Sequence, residues 1–284
     1  MSANQAAILW VLASTAIFSL VFASAKFADG AAGTFQILFL RFLAAFPLLL
    51  LYATITRQTL ALRSPRLMSH FWRAVFGVGA VAAITWASAR MPIADATALS
   101  MSYGILTVLL GVLFLGERVS APQGVAVLLT VLGAAIVLRS QGAFSDSSLG
   151  WPVLVVLFGA ILMALEALLI RVLSQAEAAV TLMVYVSGFG MLLMAGPAIW
   201  EWQAMGPWGY ALCLALGPVS ILGQYCTIRG YRLAPLSVVG PVDYSWLLFA
   251  IAIGVFVFGE WPGPAVLVGG GLIVWGGIRL SRTN

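Results

Sequence analysis

An all-α integral membrane protein, with ten transmembrane helices arranged as two inverted five-helix repeats, is the fold class this sequence predicts. Three observations lead to it. The 284 residues are 62% apolar and 8% charged, with a mean hydropathy of +1.07, which leaves too little polar surface to cover a water-soluble globule. Nearly the whole chain is taken up by ten apolar runs, each long enough to cross a hydrocarbon core about 30 Å thick. The third observation is an internal duplication: Pro92 to Glu117 aligns without a gap on Pro235 to Glu260 at an offset of 143 residues.

The ten runs fall at about 6–26, 35–55, 71–89, 93–115, 121–139, 151–172, 179–199, 208–228, 236–258 and 264–281. They are too long for barrel strands and lack period-2 alternation, so helices are the only spanning form left. The first run has no Lys or Arg before it and continues to Lys26, longer than a signal-peptide core, so it reads as a retained first helix. With the N-terminus in the cytoplasm, Arg57, Arg63, Arg66, Arg73, Arg118, Arg171, Arg229, Arg232, Arg279 and Arg282 fall at cytoplasmic ends, against Lys26, Arg90 and Arg139 on the other side. By the positive-inside rule both termini are expected in the cytoplasm.

The duplication divides the chain into residues 1–145 and 146–284. Its register pairs Pro92 with Pro235, Ser102 with Ser245, Gly111 with Gly254, Gly116-Glu117 with Gly259-Glu260, Gly133 with Gly276 and Arg139 with Arg282. Five crossings reverse the direction of the chain, so the second copy is inverted relative to the first, about an axis in the membrane plane. At the centre of each copy lies a polar-aromatic patch, Ser100-Met101-Ser102-Tyr103 and Asp243-Tyr244-Ser245-Trp246. Both are expected near the bilayer midplane, facing each other across a solvated central chamber.

Composition also excludes classes. The net charge of +5 comes from basic residues scattered between apolar runs, so no nucleic-acid partner is expected. Cys213 and Cys226 lie thirteen residues apart, about 20 Å on a helix, too far to pair. No phosphate-cradling loop, metal-ligand cluster or nucleophile-base set appears, so no cofactor or metal is expected and any transport is facilitated or ion-coupled. His70, at the start of helix 3 beside Arg73, is read as facing the interface rather than binding a metal.

Ionisable groups within hydrocarbon cost about 2.5–3.5 kcal/mol each on insertion scales and need a reason to be there. Three qualify. Glu166 either binds a substrate ammonium or carries a proton, or else pairs with a basic residue such as Arg171. Asp243 stands beside Tyr244 and Trp246, just after Pro241, whose missing N–H leaves the Ser237 carbonyl without its helical partner. Either a water-filled cavity or a capped kink accounts for it. Arg41 reads as a structural ion pair or as a clamp for a substrate carboxylate. Glu117 and Glu260 read as turn and loop anchors.

Tyr103 and Trp246 are repeat mates at mid-depth, away from the interfacial belts, and read as cavity wall or as packing. The expected substrate-binding set is therefore Ser102, Tyr103, Glu166 and Asp243, with Tyr244 and Trp246 beside them and Trp86 and Gln224 as further polar-tipped candidates. Helix 10 carries Gly269-Gly270-Gly271 and Gly276-Gly277, read as close-packing surface.

Arg41-Phe42 within LRFLAAFPLLLL, Pro92 with Ala94 and Ala96, and LFLGERVSAPQG at 113–124 form an ordered set that returns as GYRLAPLSVVGPVDYSWLL and FVFGEWPGP. Over nearly its whole length the chain resembles the EamA-type transporters of the drug/metabolite transporter superfamily. The resemblance implies an inner-membrane secondary carrier with a central cavity, exporting small metabolites such as amino acids by alternating access. The alternative of the same fold is an uptake permease for a metabolite or nucleoside-like solute. An integral-membrane enzyme is the alternative of another class, and the catalytic set it would need is not seen. A small-molecule substrate, the lipid bilayer and a monomer or weak homodimer complete the expectation, with proton coupling open. The copies differ where Ala98 and Ser100 of the first become Pro241 and Asp243 of the second.

Overall fold

In a computed structural model, which describes residues 2–27, 32–58, 63–88, 90, 93–140, 150–259 and 261–282, every regular element is an α-helix. Pro92, Glu260 and the expected boundary between residues 145 and 146 lie outside the described residues. In chain order the helices are α1 Ala3–Phe27, α2 Thr34–Ile55, α3 Leu67–Ser88, α4 Ile93–Ser100, α5 Tyr103–Leu115 and α6 Ala121–Ser140. The second half runs α7 Trp151–Ala176, α8 Ala179–Trp200, α9 Pro207–Leu233, α10 Leu236–Val242, α11 Ser245–Phe258 and α12 Pro264–Ser281.

Eight stretches are long and apolar enough to cross a membrane, counting Leu236–Val257 as one, and Tyr103–Leu115 and Pro264–Leu280 are shorter apolar helices. With α4 leading into α5, these make ten crossings in two five-span repeats. Three helix ends differ from expectation by four or five residues. Helix α3 begins at Leu67 rather than 71, α7 continues to Ala176 rather than 172, and α9 continues to Leu233 rather than 228. Hydropathy marks only the apolar part of a helix, whereas the hydrogen-bond ladder runs on into polar residues.

Spans 4 and 9, expected at 93–115 and 236–258, are each divided into two helices, and in span 9 the break falls where Pro241 left a kink open. They break at residues 101–102 and 243–244, inside the two patches. Around Pro241 the ladder tightens: Asp243 N donates to Gly240 O at 3.2 Å, Tyr244 N to Pro241 O at 3.3 Å, Trp246 N to Asp243 O at 3.0 Å and Leu247 N to Tyr244 O at 3.1 Å, all three-residue steps. In span 4 only Ser102 N to Leu99 O, 3.1 Å, and Gly104 N to Met101 O, 3.2 Å, tighten in this way.

Contacts on the axis relate the repeats directly. Helix α6 packs on its own repeat mate α12: a Cβ on Gly133 would lie 2.5 Å from the Gly269 carbonyl oxygen, and one on Gly276 2.8 Å from that of Ala126. Gly133 and Gly276 are mates, as are Ala126 and Gly269, so one contact is the other turned over. Small residues let these backbones touch. Off the axis, α1 packs on α9 as its mate α7 packs on α3.

Helices α2, α5, α7 and α9 finish at one end, the arginine-rich end. There Arg232 caps α7 by donating to the carbonyls of Ser174 and Glu177, and Arg171 donates to the carbonyls of Tyr231 at 2.7 Å and Arg232 at 2.9 Å. All seven residues of α10 are buried, against α5, α6 and α7 among others. Among the described residues its mate α4 makes no comparable packing against α11 or α12. The bundle is thus drawn tight at the arginine-rich end.

Candidate functional site

Charged side chains gather where the two repeats meet. Glu166 lies ten residues from the end of α7, about 15 Å at the helical rise, and Arg73 stands six residues into α3 from the same end. Arg73 is fully buried, and its Nε lies 3.9 Å from Glu166 Oε1. Its Nη1 donates to the Leu182 carbonyl at 3.1 Å and its Nη2 to Gln224 Oε1 at 2.9 Å. Arg41 enters from α2, within electrostatic reach of Glu166, with its guanidinium 4.8 Å over the Phe42 ring. Gly77 gives Glu166 its room, since a Cβ there would lie 2.6 Å from Oε2.

Beside this cluster is a cavity of about 20 Å³, room for one water molecule, lined by Arg41, Phe42, Ser187, Ser220 and Gln224 among others. Two polar atoms of its wall, Arg41 Nε and Ser220 Oγ, are buried with no hydrogen-bond partner among the described residues. Buried polar atoms of this kind are ordinarily paired, with protein or with water. At about 20 Å³ it is far narrower than the solvated central chamber expected from the repeat symmetry.

A second cluster surrounds Asp243. Tyr231 Oη donates to Asp243 Oδ2 at 2.6 Å, and the Tyr103 hydroxyl reaches the same carboxyl. Tyr231 also interacts electrostatically with Glu166, which links the two clusters through α9. Across the axis Tyr244 Oη donates to the Met101 carbonyl at 2.7 Å. Met101 and Tyr244 are repeat mates, so the two patches face each other as expected. Gly104 makes the approach possible, since a Cβ there would lie 2.6 Å from the Tyr244 ring. Met101, Tyr244 and Leu247 form one apolar cluster with Tyr103 and Trp246 packed against it. Ser102 Oγ, in the first patch, is buried without a hydrogen-bond partner among the described residues.

The structure therefore joins Glu166 and Gln224 in one cluster and Tyr103, Asp243, Tyr244 and Trp246 in the other, with Ser102 next to Tyr103. Trp86 is joined to neither: it is 37% exposed near the far end of α3, beneath the Arg90 guanidinium at 4.1 Å. Glu166 pairs with Arg73, not with Arg171, which is engaged with the α9 carbonyls. His70 does not face the interface. It is 1% exposed, stacked on Tyr185 at 4.6 Å and bonded through Nε2 to Glu177 at 2.8 Å. Among the described residues no group of three or more His, Cys, Asp and Glu is placed to hold a metal ion.

Two members of the site were not singled out from sequence. In the sequence Arg73 falls among the basic residues of a cytoplasmic end, and Tyr231 lies past the apolar run of its span. A signal for Tyr231 was present: it follows Gly230 in GYRLAP, at the duplicated motif, twelve residues before Asp243.

A larger cavity of about 430 Å³ lies elsewhere, between α1, α10, α11 and α12. Its lining is mostly apolar, with Leu9, Leu12, Pro241 and Ile273 in its wall.

A model of the EamA-like transporter family matches the chain twice, over residues 5–139 and 150–282. The pseudopaline exporter CntI of Pseudomonas aeruginosa is 31% identical over 281 residues, 98% of this chain and 96% of that protein. A riboflavin transporter of Vibrio cholerae is 26% identical over 274 residues, covering 94% of this chain and 89% of that protein. An S-adenosylmethionine uptake transporter of Rickettsia conorii is 21% identical over 241 residues, 85% of this chain and 80% of that protein. A solved crystal structure superposes with a TM-score of 0.82 at 20% identity, covering 99% of this chain and 97% of the other, and so shares the fold. With its ten apolar spans and two copies of the domain, the chain belongs to the EamA-like transporter family and is a multi-pass membrane transporter.

Proposed function

We propose that the protein exports small metabolites of amino-acid type across the inner membrane by alternating access, with both termini in the cytoplasm. The observation that carries this reading is the Arg41, Arg73 and Glu166 cluster. Two guanidiniums face one carboxylate, a local positive surplus that an entering carboxylate would balance, and buried charge is tolerated only when it is paired. Asp243, reached through Tyr231, offers the opposite pole for an ammonium group. A zwitterion complements both.

Export is supported by the relative named as a pseudopaline exporter. Uptake of a larger aromatic solute is the second reading, supported by the Tyr103, Tyr244 and Trp246 group and by the relatives named for riboflavin and S-adenosylmethionine. A proton carrier must shed its counter-ion during the cycle. Asp243, held by tyrosine hydroxyls, suits that role better than Glu166, which sits between two arginines.

Purified protein in liposomes, screened for exchange of labelled amino acids and nucleosides, tests the substrate class. Amino-acid exchange that falls more than about tenfold in Arg73→Gln is the expected result, the scale of a charge-assisted contact. Exchange of nucleosides with refusal of every amino acid overturns it. A pH gradient imposed in the same vesicles should drive exchange in the parent protein but not in Asp243→Asn. Labelling of engineered cysteines at 30 and 175 from opposite faces tests the orientation.

A further inference from the structure

The first-repeat Gly-Glu motif, read from sequence as a loop anchor, makes a contact that crosses between repeats. Glu117 Oε1 accepts from Leu236 N at 2.9 Å and Oε2 from Ser237 N at 3.0 Å. These are orphan donors at the start of α10, whose N-cap is Pro235 and supplies no side-chain acceptor. The next two amides, of Val238 and Val239, are already satisfied by the Pro235 carbonyl at 3.0 and 3.1 Å. One carboxylate thus completes the start of a fully buried half-helix that belongs to the other repeat.

Three further features aim that carboxylate. Gly116 ends α5 in the left-handed conformation, φ 65°, which turns Glu117 back so that its N–H bonds Gly111 O at 3.1 Å. A Cβ on Gly111 would lie 2.7 Å from Glu117 Oε2 and 3.1 Å from Leu236 Cβ, so only glycine leaves the space. Arg171 stands within electrostatic reach of the carboxylate and ties α7 to α9.

Every part of this device except Arg171, whose mate is Ala28, is duplicated in the sequence. Pro235 is the mate of Pro92, Gly111 of Gly254, Gly116 of Gly259 and Glu117 of Glu260, and these are most of the identities that make the repeat visible. Gly259 ends α11 in the same left-handed conformation as Gly116, φ 70°. Leu236 and Ser237 have Ile93 and Ala94, the start of α4, as mates. Yet α10 is packed in against α5, and among the described residues α4 is not packed in against α11 in the same way. The sequence is symmetric in these parts; the packing is not.

We propose that Glu117 is a latch that holds the arginine-rich end shut by capping α10. The half-helix loses its cap as it swings out and regains it as it swings in. The proposal rests on the alternating-access reading above. It makes the motif part of the gate and leaves solute recognition to the two clusters.

Cross-linking across each gate tests it without any substrate. A Cβ on Gly240 would lie 3.5 Å from Thr107 Cβ, within disulfide range. Thr107→Cys with Gly240→Cys, in a background with Cys213 and Cys226 replaced by Ala, should cross-link readily in membranes. The mate pair, Thr97→Cys with Ala250→Cys, reports the opposite gate. Glu117→Gln should slow the first pair and quicken the second, each by about tenfold, the scale of a lost charge-assisted cap. Unchanged rates in Glu117→Gln, or equal slowing of both pairs, overturns the latch. Leu236→Pro deletes one donor at a position where proline is tolerated, and it should mimic Glu117→Gln beyond the effect of Leu236→Ala. If amino-acid exchange fails while these opposed shifts persist, the substrate reading falls and the latch stands.

Discussion

Spans 4 and 9 start from nearly the same sequence pattern and end in different surroundings. Both break at the same register, at residues 101–102 and 243–244. Proline cannot be the common cause, because Pro241 faces Ala98 across the register. What the two breaks share is the contact between them: Tyr244 enters over Gly104 and bonds the Met101 carbonyl, which also accepts from Gly104 N. A carbonyl has two lone pairs, so it can serve both donors, and the helix is tightened there. Proline lengthens the tightened stretch in span 9. It also leaves backbone groups beside Asp243 that a regular helix would have paired.

The chemical difference is larger than the geometric one. Asp243 is bonded by Tyr231 from α9, whereas its mate Ser100 turns its hydroxyl onto its own helix, at Thr97 O, 2.8 Å. The ionisable half of the site therefore lies in the second repeat. Asp243→Asn should lower exchange in liposomes by more than about tenfold, since it changes a charged acceptor of hydrogen bonds, while Ser100→Ala should stay within about twofold. Equal losses in the two variants, at equal yield of folded protein, would mean that the repeats share the site evenly and that the comparison above is mistaken.

The axis itself offers the next largest effect. Gly133→Ala places a methyl against the Gly269 backbone, where neither helix has a flexible side chain to move aside. Forcing apart a packed interface costs about 1–3 kcal/mol. Gly277→Ala, on the same helix pair, meets nothing within 4 Å and should be neutral or slightly stabilising. Thermal unfolding in detergent separates the two. A neutral Gly133→Ala would show that the close backbone contact between α6 and α12 is not needed to hold the pair together.

Much of this was legible in the sequence because it depends on length and repetition. A run of twenty apolar residues is long enough to cross, and a gapless offset makes Met101 and Tyr244 mates, which touch because they lie on the axis between the repeats. The partner of Glu166 was not legible. Arg171 is five residues away on the same helix and looks available, whereas Arg73 comes from another helix and reads as a boundary charge until α3 is seen to start at Leu67. Tyr231 was hidden for the same reason, since hydropathy ended its span before the helix ends. Glu117 was visible as part of a motif, but that motif completes a structure in the other repeat, and no reading of one helix reaches across.

The smallest effect separates two accounts of the break in span 4. Tyr244→Phe keeps the ring over Gly104 and removes only the bond to Met101 O, worth about 0.5–1.5 kcal/mol. If the ring forces the break by its bulk, the variant should lose about that much stability and keep the kink, so the Thr107 and Gly240 cysteine pair would cross-link as before. If the hydroxyl holds the break by drawing on the Met101 carbonyl, residues 101–104 should relax toward regular helix and carry α5 away from α10. The cross-link would then slow although neither cysteine had been touched. Bulk is the expected cause, because Gly104 leaves room for the ring and for nothing larger, whereas a carbonyl already bonded by Gly104 N gains only modestly from a second donor.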